Sequence, residues 1–171
     1  SMSLVITSLN SGSNGNCYYI GNANNAILID AGISCRETEI RMKRLGLRMD
    51  AIRAVFISHE HKDHISGLTV LAKKYRLPVY ITEATQANGK FHIEKKLVFR
   101  FRAHEPVQVG ELSVTAFQKF HDAGDPHSFV VSSSSVGRGC LASYFAIVFC
   151  GCVTGQRPCL VLVVCCSVAG P

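Results

Sequence analysis

Charged side chains are almost absent from residues 139–171 of this sequence. That segment contains one charged residue, Arg157, and no Lys, Asp, Glu or His, although it holds the apolar runs CLASYFAIVFCGCV and CLVLVVCC. Neither run reaches the ~20 residues that a helix needs to span a bilayer, so we expect no membrane partner. Three interpretations compete: buried strands, a membrane-associated hairpin, and translation in a shifted reading frame, which the abrupt change in composition favours.

Cysteines are also scarce outside this apolar tail. Of the eight in the chain, only Cys17 and Cys35 precede residue 139. Nothing else in the sequence suggests secretion, because no early segment combines a charged start with the unbroken apolar run of a signal peptide. The cysteines therefore do not indicate a disulfide framework. We expect a cytoplasmic location.

The part of the chain before the tail has the composition and patterning of an ordinary globular protein. The chain has 171 residues, 47% of them hydrophobic, which suits one domain with a substantial core. Its net charge of +6 weakly favours an acidic or phosphate-bearing partner. We place a boundary between an N-terminal portion, residues 1–137, and an atypical tail, residues 138–171.

Helices and strands alternate along the N-terminal portion, which predicts an α/β fold. Ser34 is placed to cap a helix that runs to about Leu45, with Glu37 in the position of a capping box and Gly46 as a natural stop. A second helix is predicted at about 66–75, and the later strands should pair mostly antiparallel because their connections are short. Strands are predicted at Leu4–Leu9, Cys17–Ile20, Ala26–Asp30, Ala54–Ile57, Pro78–Ile81, Leu97–Phe101, Val107–Val109, Leu112–Phe117 and Phe129–Ser132.

The segment HEHKDH at 59–64 concentrates four potential metal ligands directly after a predicted buried strand. His59 and His61 are two residues apart and would point to the same side of an extended segment, which suits one metal. Asp63 and His64 follow where the chain turns towards a helix, and they suit a second metal. Imidazole and carboxylate are ligands of catalytic zinc, which lowers the pKa of a bound water to about 7. A solvated polar loop is the competing interpretation.

Four stretches of the sequence resemble one family: SLNSGSNGNCYYI, ILIDAGIS, ISHEHKDHISG and FHDAGDPHSF. His-x-His-x-Asp-His after a buried strand resembles the signature of the metallo-β-lactamase fold. The loop Ser-Gly-Ser-x-Gly-Asn narrows the resemblance to the bacterial YycJ/WalJ-like branch, over about residues 3–136. The resemblance implies an αββα sandwich, of which this chain covers the first half followed by the apolar tail.

The resemblance also implies roles for individual residues. His59, His61 and His121 would bind one metal, and Asp63 and His64 a second. Asp63 would in addition orient or deprotonate the attacking water, which makes it the predicted catalytic residue. Zinc suits the histidine-rich site, and manganese or iron suits a mixed nitrogen and oxygen pair.

Further residues would support or surround the metal ligands. Asp30, at the end of ILID, would steady them through hydrogen bonds; a strand-end turn residue is the alternative. Ser11, Ser13 and Asn14 would line the substrate rim, although an ordinary glycine-rich turn explains them as well. His127 would reach the mouth of the pocket.

The family's pattern is incomplete in this sequence. The branch has a later aspartate that bridges both metals and a late histidine, yet no Asp or Glu follows Asp125 and no His follows His127. The resemblance implies a metal-dependent hydrolase of phosphodiester or DNA exonuclease type, and we expect that activity to be impaired in this chain. The alternative is a non-catalytic metal-binding or interaction module. We also expect that the tail covers the unpartnered sheet face or that two chains pair across it.

Overall fold

A layer of helices, a six-stranded sheet and a five-stranded sheet are stacked in that order in the computed structural model. The structure describes residues 4–22, 24–119, 122–137, 140–149 and 160–168, and beyond Ser133 it describes the backbone alone. This architecture confirms the predicted mixed α/β fold with layered sheets. Among the described helices, none is long and apolar enough to cross a membrane.

The first sheet contains six strands that lie side by side in chain order. Its first three strands pair antiparallel, whereas the third to the sixth pair parallel. The sixth strand was expected to pair antiparallel, but it pairs parallel with the fifth. The helical segments between these two strands return the chain to the end of the sheet at which the fifth strand began, so that both strands run in the same direction. The strands are β1 (Val5–Asn10), β2 (Cys17–Gly21), β3 (Ala26–Ile29), β4 (Ile52–Phe56), β5 (Val79–Tyr80) and β6 (Val98–Phe99).

Four α-helices and two short 3₁₀ helices connect these strands. The Ser34 hydroxyl accepts a hydrogen bond of 3.1 Å from the Glu37 amide, which confirms the predicted N-cap of the first helix. Gly46, with a φ of +68°, follows its end. The helix at 83–89 was not predicted from the sequence, because EATQANG shows no apolar periodicity. The helices are α1 (Cys35–Arg44), α2 (Lys62–Ile65), α3 (Leu68–Tyr75), α4 (Glu83–Gly89) and the 3₁₀ helices Met49–Ala51 and Lys95–Leu97.

Two hydrophobic cores lie on the two faces of the first sheet. Alternate residues of its strands face opposite ways, so that Leu28 of β3 packs with the helices while Ile27 and Ile29 pack against the second sheet. On the helical side, α3 contributes Leu68 and Leu71, both fully buried. The sheet is thus covered on both faces, which explains why its central strands are nearly continuous apolar runs.

The second sheet has five antiparallel strands in the order β11-β10-β9-β8-β7. Its outward-facing residues that the structure describes on β8 and β9 are mixed: Ser113, Thr115 and Ser132 are polar, whereas Phe117 and Val130 are apolar. Both apolar runs of the tail continue this sheet as backbone strands, and their origin in a shifted reading frame stays a prediction. The strands are β7 (Pro106–Val109), β8 (Leu112–Gln118), β9 (His127–Gly137), β10 (Cys140–Phe149) and β11 (Leu160–Val168).

Phe56 is the residue of the inter-sheet core whose removal should be most informative. Its ring is 1% exposed, stacks on Tyr80 with centroids 4.5 Å apart, and meets Phe129 edge-on at 5.7 Å. We expect Phe56→Ala to lower the free energy of unfolding by about 3–5 kcal/mol, because it removes buried contacts and leaves a cavity. The midpoint of chemical denaturation measures this. Phe117→Ala is the control: that ring is 37% exposed, and we expect a loss of less than about 1 kcal/mol. Equal losses in the two variants would contradict the described core.

Candidate metal centre

The candidate site lies at the carboxyl ends of the parallel strands β3 and β4. These strands pair in register, with Ile29 opposite Phe56, and the amide of Asp30 donates to the Phe56 carbonyl at 2.8 Å. Residues that directly follow the two strands therefore meet at one edge of the sheet. This edge is where α/β folds place their sites, and it brings Asp30 next to the HEHKDH segment.

Asp30 accepts hydrogen bonds from two separate elements although it is completely buried. One carboxylate oxygen accepts from the Ser58 amide at 2.8 Å. The other accepts from the Ser58 hydroxyl at 2.8 Å and lies 2.6 Å from Nδ1 of His64. The backbone of Asp30 has a φ of +62°, an uncommon conformation in which Asp is enriched. This conformation turns the chain at the end of β3 while the carboxylate stays under the histidines.

Three histidine rings are gathered above this carboxylate. The ring centroids of His59 and His61 lie 4.6 Å apart, and those of His59 and His64 lie 3.9 Å apart. Nδ1 of His59 lies 2.8 Å from the Ser58 hydroxyl. His59 and His64 are therefore each oriented through Nδ1 by a buried polar partner, which is Ser58 for His59 and Asp30 for His64. Metal-ligating histidines typically use one ring nitrogen in this way and bind the metal with the other.

Asn16 attaches the glycine-rich loop to the ligand segment. Its side-chain amide donates to the Asp63 carboxylate at 3.0 Å and lies 3.1 Å from Nε2 of His64, and its backbone amide donates to the Asp63 carbonyl at 2.6 Å. Asn16 is 3% exposed, whereas the Asp63 side chain is 31% exposed. The roles of Asn16 and Ser58 were not predicted from the sequence, although Asn16 ends the SGSNGN loop on which the family resemblance rests.

Gly32 allows the backbone of the loop after β3 to touch the ligand segment. A Cβ at this position would collide with the Asp63 carbonyl oxygen. Its amide donates to the Asn16 carbonyl at 2.8 Å, and the neighbouring Ala31 amide donates to the His64 carbonyl at 2.8 Å. The approach of these backbones fixes Asp63 and His64 relative to β3 and requires glycine here.

The loop after β8 contacts the same segment from the second sheet. The Asp122 carbonyl lies 3.1 Å from Nε2 of His61, and the Gly124 amide donates to the Glu60 carboxylate at 2.7 Å. The amide of His127 donates to the Ser58 carbonyl at 2.9 Å. His121, the predicted third ligand of the first metal, lies outside the described residues, and its role stays a prediction.

An open cleft of about 440 Å³ has Asp63 in its lining. The Asp63 carboxylate lies 3.5 Å from Nε2 of His64 and so connects the cleft with the histidine cluster. Ser13 and Asn14, two of the predicted rim residues, line this cleft. Ser11 is exposed but is not among the lining residues. His127 is 2% exposed and packs its ring edge-on against Phe101, so it lies beneath the surface rather than at the mouth of the cleft.

The described residues supply suitable donors without completing a metal site. Within the ranges that the structure describes, no three His, Cys, Asp or Glu side chains are placed to hold a metal ion. The donor chemistry nevertheless fits a divalent metal, because imidazoles backed by a hydroxyl and a carboxylate are the ligands that zinc prefers.

Cys17 does not belong to this donor set. Burial, followed by the nearby negative charge of Asp30, raises the pKa of the Cys17 thiol far above its usual range. The thiol is fully buried, which disfavours the thiolate that nucleophilic attack needs. Cys17 and Cys35 are both free and buried.

The fold and the ligand segment are those of a known superfamily. The family model of the metallo-beta-lactamase superfamily matches residues 11–142, and the chain belongs to this superfamily. The match includes the glycine-rich loop, the end of β3 and the whole HEHKDH segment. The superfamily resemblance inferred from the sequence is therefore confirmed.

Two curated bacterial relatives are similar over most of the chain. The chain is 37% identical over 130 residues to the exodeoxyribonuclease YycJ of Bacillus anthracis, a match that covers 73% of this chain and 48% of that protein. It is 30% identical over 126 residues to the exodeoxyribonuclease WalJ of Streptococcus pneumoniae, with coverage of 71% and 47%. The chain thus spans about half the length of the curated relatives it matches.

Solved structures with the same fold are more distant in sequence. A subclass B3 metallo-beta-lactamase isolated from a soil metagenome library superimposes with a TM-score of 0.66 at 17% identity, over 84% of this chain and 59% of that one. A metallo-beta-lactamase from Legionella gormanii has a TM-score of 0.66 at 16% identity, with coverage of 89% and 63%. At these identities the similarity establishes the fold alone.

Replacement of Asp30 tests whether the site depends on its buried carboxylate. Asp30→Asn exchanges one acceptor oxygen for a donor NH₂ group. In one orientation of the new amide the NH₂ group faces the Ser58 amide donor, and in the other it replaces the oxygen that His64 and the Ser58 hydroxyl contact. We expect the free energy of unfolding to fall by about 1–3 kcal/mol, measured by chemical denaturation. Asp50→Asn is the matched control, since the Asp50 side chain is 69% exposed and should change stability by less than about 0.5 kcal/mol. An Asp30→Asn variant as stable as the control would contradict the structural role.

Proposed function

We propose that this protein is a metal-dependent hydrolase of phosphodiester bonds, with DNA as the favoured substrate. The observation that carries the proposal is the gathering of His59, His61 and His64 at the carboxyl end of β4, with Asp63 at the border of an open cleft. His59 and His64 are buried, and burial of polar imidazoles next to a partly exposed carboxylate is costly for a purely structural role. The cluster suits a site in which substrate and metal meet.

The ligand assignment is the one that the family resemblance implies. His59, His61 and His121 hold one metal, and Asp63 and His64 hold a second. Contact of the Asp122 carbonyl with His61 supports the inclusion of its chain neighbour His121. Zinc suits the first site, with manganese or iron as alternatives for the mixed second site. When bound, the metal supplies a Lewis acid that lowers the pKa of a water molecule towards 7.

The protein's own residues position the reacting groups. Asn16 holds the Asp63 carboxylate at 3.0 Å, which leaves Asp63 partly exposed and in a fixed orientation. Asp63 then orients or deprotonates the attacking water as a general base. Asp30 holds His64 from below through the 2.6 Å contact at Nδ1, so that the imidazole keeps one orientation.

The substrate class rests on the relatives and on charge. Both curated relatives cited above carry the name exodeoxyribonuclease. The net charge of +6 agrees with a polyanionic substrate but is too small to establish one. A cytoplasmic location and pairing of two chains are parts of the same proposal.

We expect catalysis by this chain to be impaired. The alternative function is a non-catalytic metal-binding or interaction module. After Asp125 the sequence has no Asp or Glu, and after His127 it has no His. The chain therefore offers the second metal only Asp63 and His64, a weak ligand set. We expect the 171-residue chain to hold one metal more firmly than two and to hydrolyse phosphodiesters slowly.

His59→Ala tests the proposal through metal binding and hydrolysis together. We expect zinc affinity, measured by equilibrium dialysis, to fall at least about 100-fold, because an imidazole ligand is removed. Manganese-dependent hydrolysis of bis(p-nitrophenyl) phosphate should fall to the background rate. The control is His92→Ala, which removes an exposed histidine far from HEHKDH in sequence and should change neither quantity.

Three outcomes separate the possibilities. Hydrolysis by the unaltered chain that disappears in His59→Ala supports the metal-dependent hydrolase. Zinc binding that depends on His59, without any hydrolysis by the unaltered chain, supports the non-catalytic module. Zinc affinity and hydrolysis that are the same in His59→Ala and in the unaltered chain contradict the proposed metal site.

A further inference from the structure

The cleft beside Asp63 has a lining suited to an anion. Its six lining residues include one cationic side chain, one carboxylate, two hydroxyls and an amide. In the proposed site the carboxylate, Asp63, serves the second metal. The positive charge of Lys62 then has no acidic counterpart within the lining. The lining residues are Ser13, Asn14, Gly32, Lys62, Asp63 and Ser66.

Lys62 combines an anchored backbone with an exposed side chain. Its carbonyl accepts hydrogen bonds from both the amide and the hydroxyl of Ser66, the amide bond being 3.0 Å long. The side chain is exposed and forms no ion pair with any other described residue. A lysine on a fixed backbone beside the reacting carboxylate can place its ammonium group within the cleft at little cost in backbone entropy.

We propose that Lys62 binds the phosphate of a nucleotide that flanks the scissile bond. This inference rests on the proposed phosphodiesterase function and specifies its substrate as a strand with consecutive phosphates. The cleft volume of about 440 Å³ is within the range of small-molecule pockets and suits one nucleotide. Lys62 binds the phosphate as a point charge, and the hydroxyl of Ser13 and the side-chain amide of Asn14 provide further donors in the same lining.

The choice of a nucleic-acid strand over a small uncharged ester follows from this lining. An ester or lactone of low charge would gain nothing from an ammonium group beside Asp63. A strand places a second phosphate next to the one that reacts. Its charge offsets the cost of holding the Lys62 side chain in one orientation.

Equilibrium binding tests the inference without relying on catalysis. The probe is a fluorescein-labelled single-stranded oligothymidylate of ten nucleotides with phosphorothioate linkages, titrated with the zinc-loaded 171-residue protein at several salt concentrations. We expect Lys62→Gln to raise the Kd about fivefold to tenfold. The slope of log K against log salt should shrink by about 0.7, as for the loss of one phosphate contact. Lys62→Arg keeps the charge and should stay within about twofold of the unaltered protein.

The matched control is Lys73→Gln, which changes the net charge equally at an exposed position on α3. A loss confined to Lys62→Gln supports the inference, whereas equal losses in both variants, or no loss in either, overturn it. Failure of the two proposals is distinguishable. Strand binding that depends on Lys62, without hydrolysis, supports the phosphate-binding role of Lys62 and counts against the hydrolase. Hydrolysis that depends on His59, together with a Kd for the oligonucleotide that Lys62→Gln does not change, supports the hydrolase and overturns the proposed role of Lys62.

Discussion

The buried carboxylate of Asp30 is the group on which the rest of the candidate site depends. It sits at the end of β3, without solvent, and its acceptors are met by Ser58 from the end of β4 and by His64 from α2. A buried carboxylate without donors would destabilise the fold, so these elements are held together wherever the protein is folded. The same hydrogen bonds orient the histidines, which means that folding and the preparation of the site are one event.

A second network acts on the cleft side of the histidines. Asn16 holds the backbone and the carboxylate of Asp63, and the Gly32 amide in turn donates to the Asn16 carbonyl. The Asp63 carboxylate lies between the histidine cluster and the cleft. The metal side and the proposed strand-binding side therefore meet at one residue. Lys62, its neighbour in the chain, extends the site towards the substrate. The residues proposed to bind the substrate strand and those proposed to hydrolyse it therefore belong to one short segment between β4 and α3.

Much of this arrangement could be predicted from local sequence. HEHKDH after an apolar run indicated the ligand cluster, and Ser34 indicated a helix start, because both signals lie within a few consecutive residues. The partners Asn16 and Ser58 were missed, since a single Asn or Ser has no local signature and its contact with Asp63 or Asp30 spans tens of residues. The converse holds for His127: the family resemblance placed it at the mouth of the pocket, whereas its packing against Phe101 buries it. The helix at 83–89 depends on its Thr82 cap rather than on an apolar stripe.

X-ray absorption at the zinc K-edge of the zinc-loaded protein tests whether the HEHKDH segment holds a metal. We expect a first coordination shell with two to three imidazole nitrogens at about 2.0–2.1 Å, together with the outer-ring scattering that histidine produces. That signal should be lost in a protein in which His59 and His61 are both replaced by Ala. A shell of oxygen atoms alone, unchanged by those replacements, would contradict the assignment of this cluster as a metal centre.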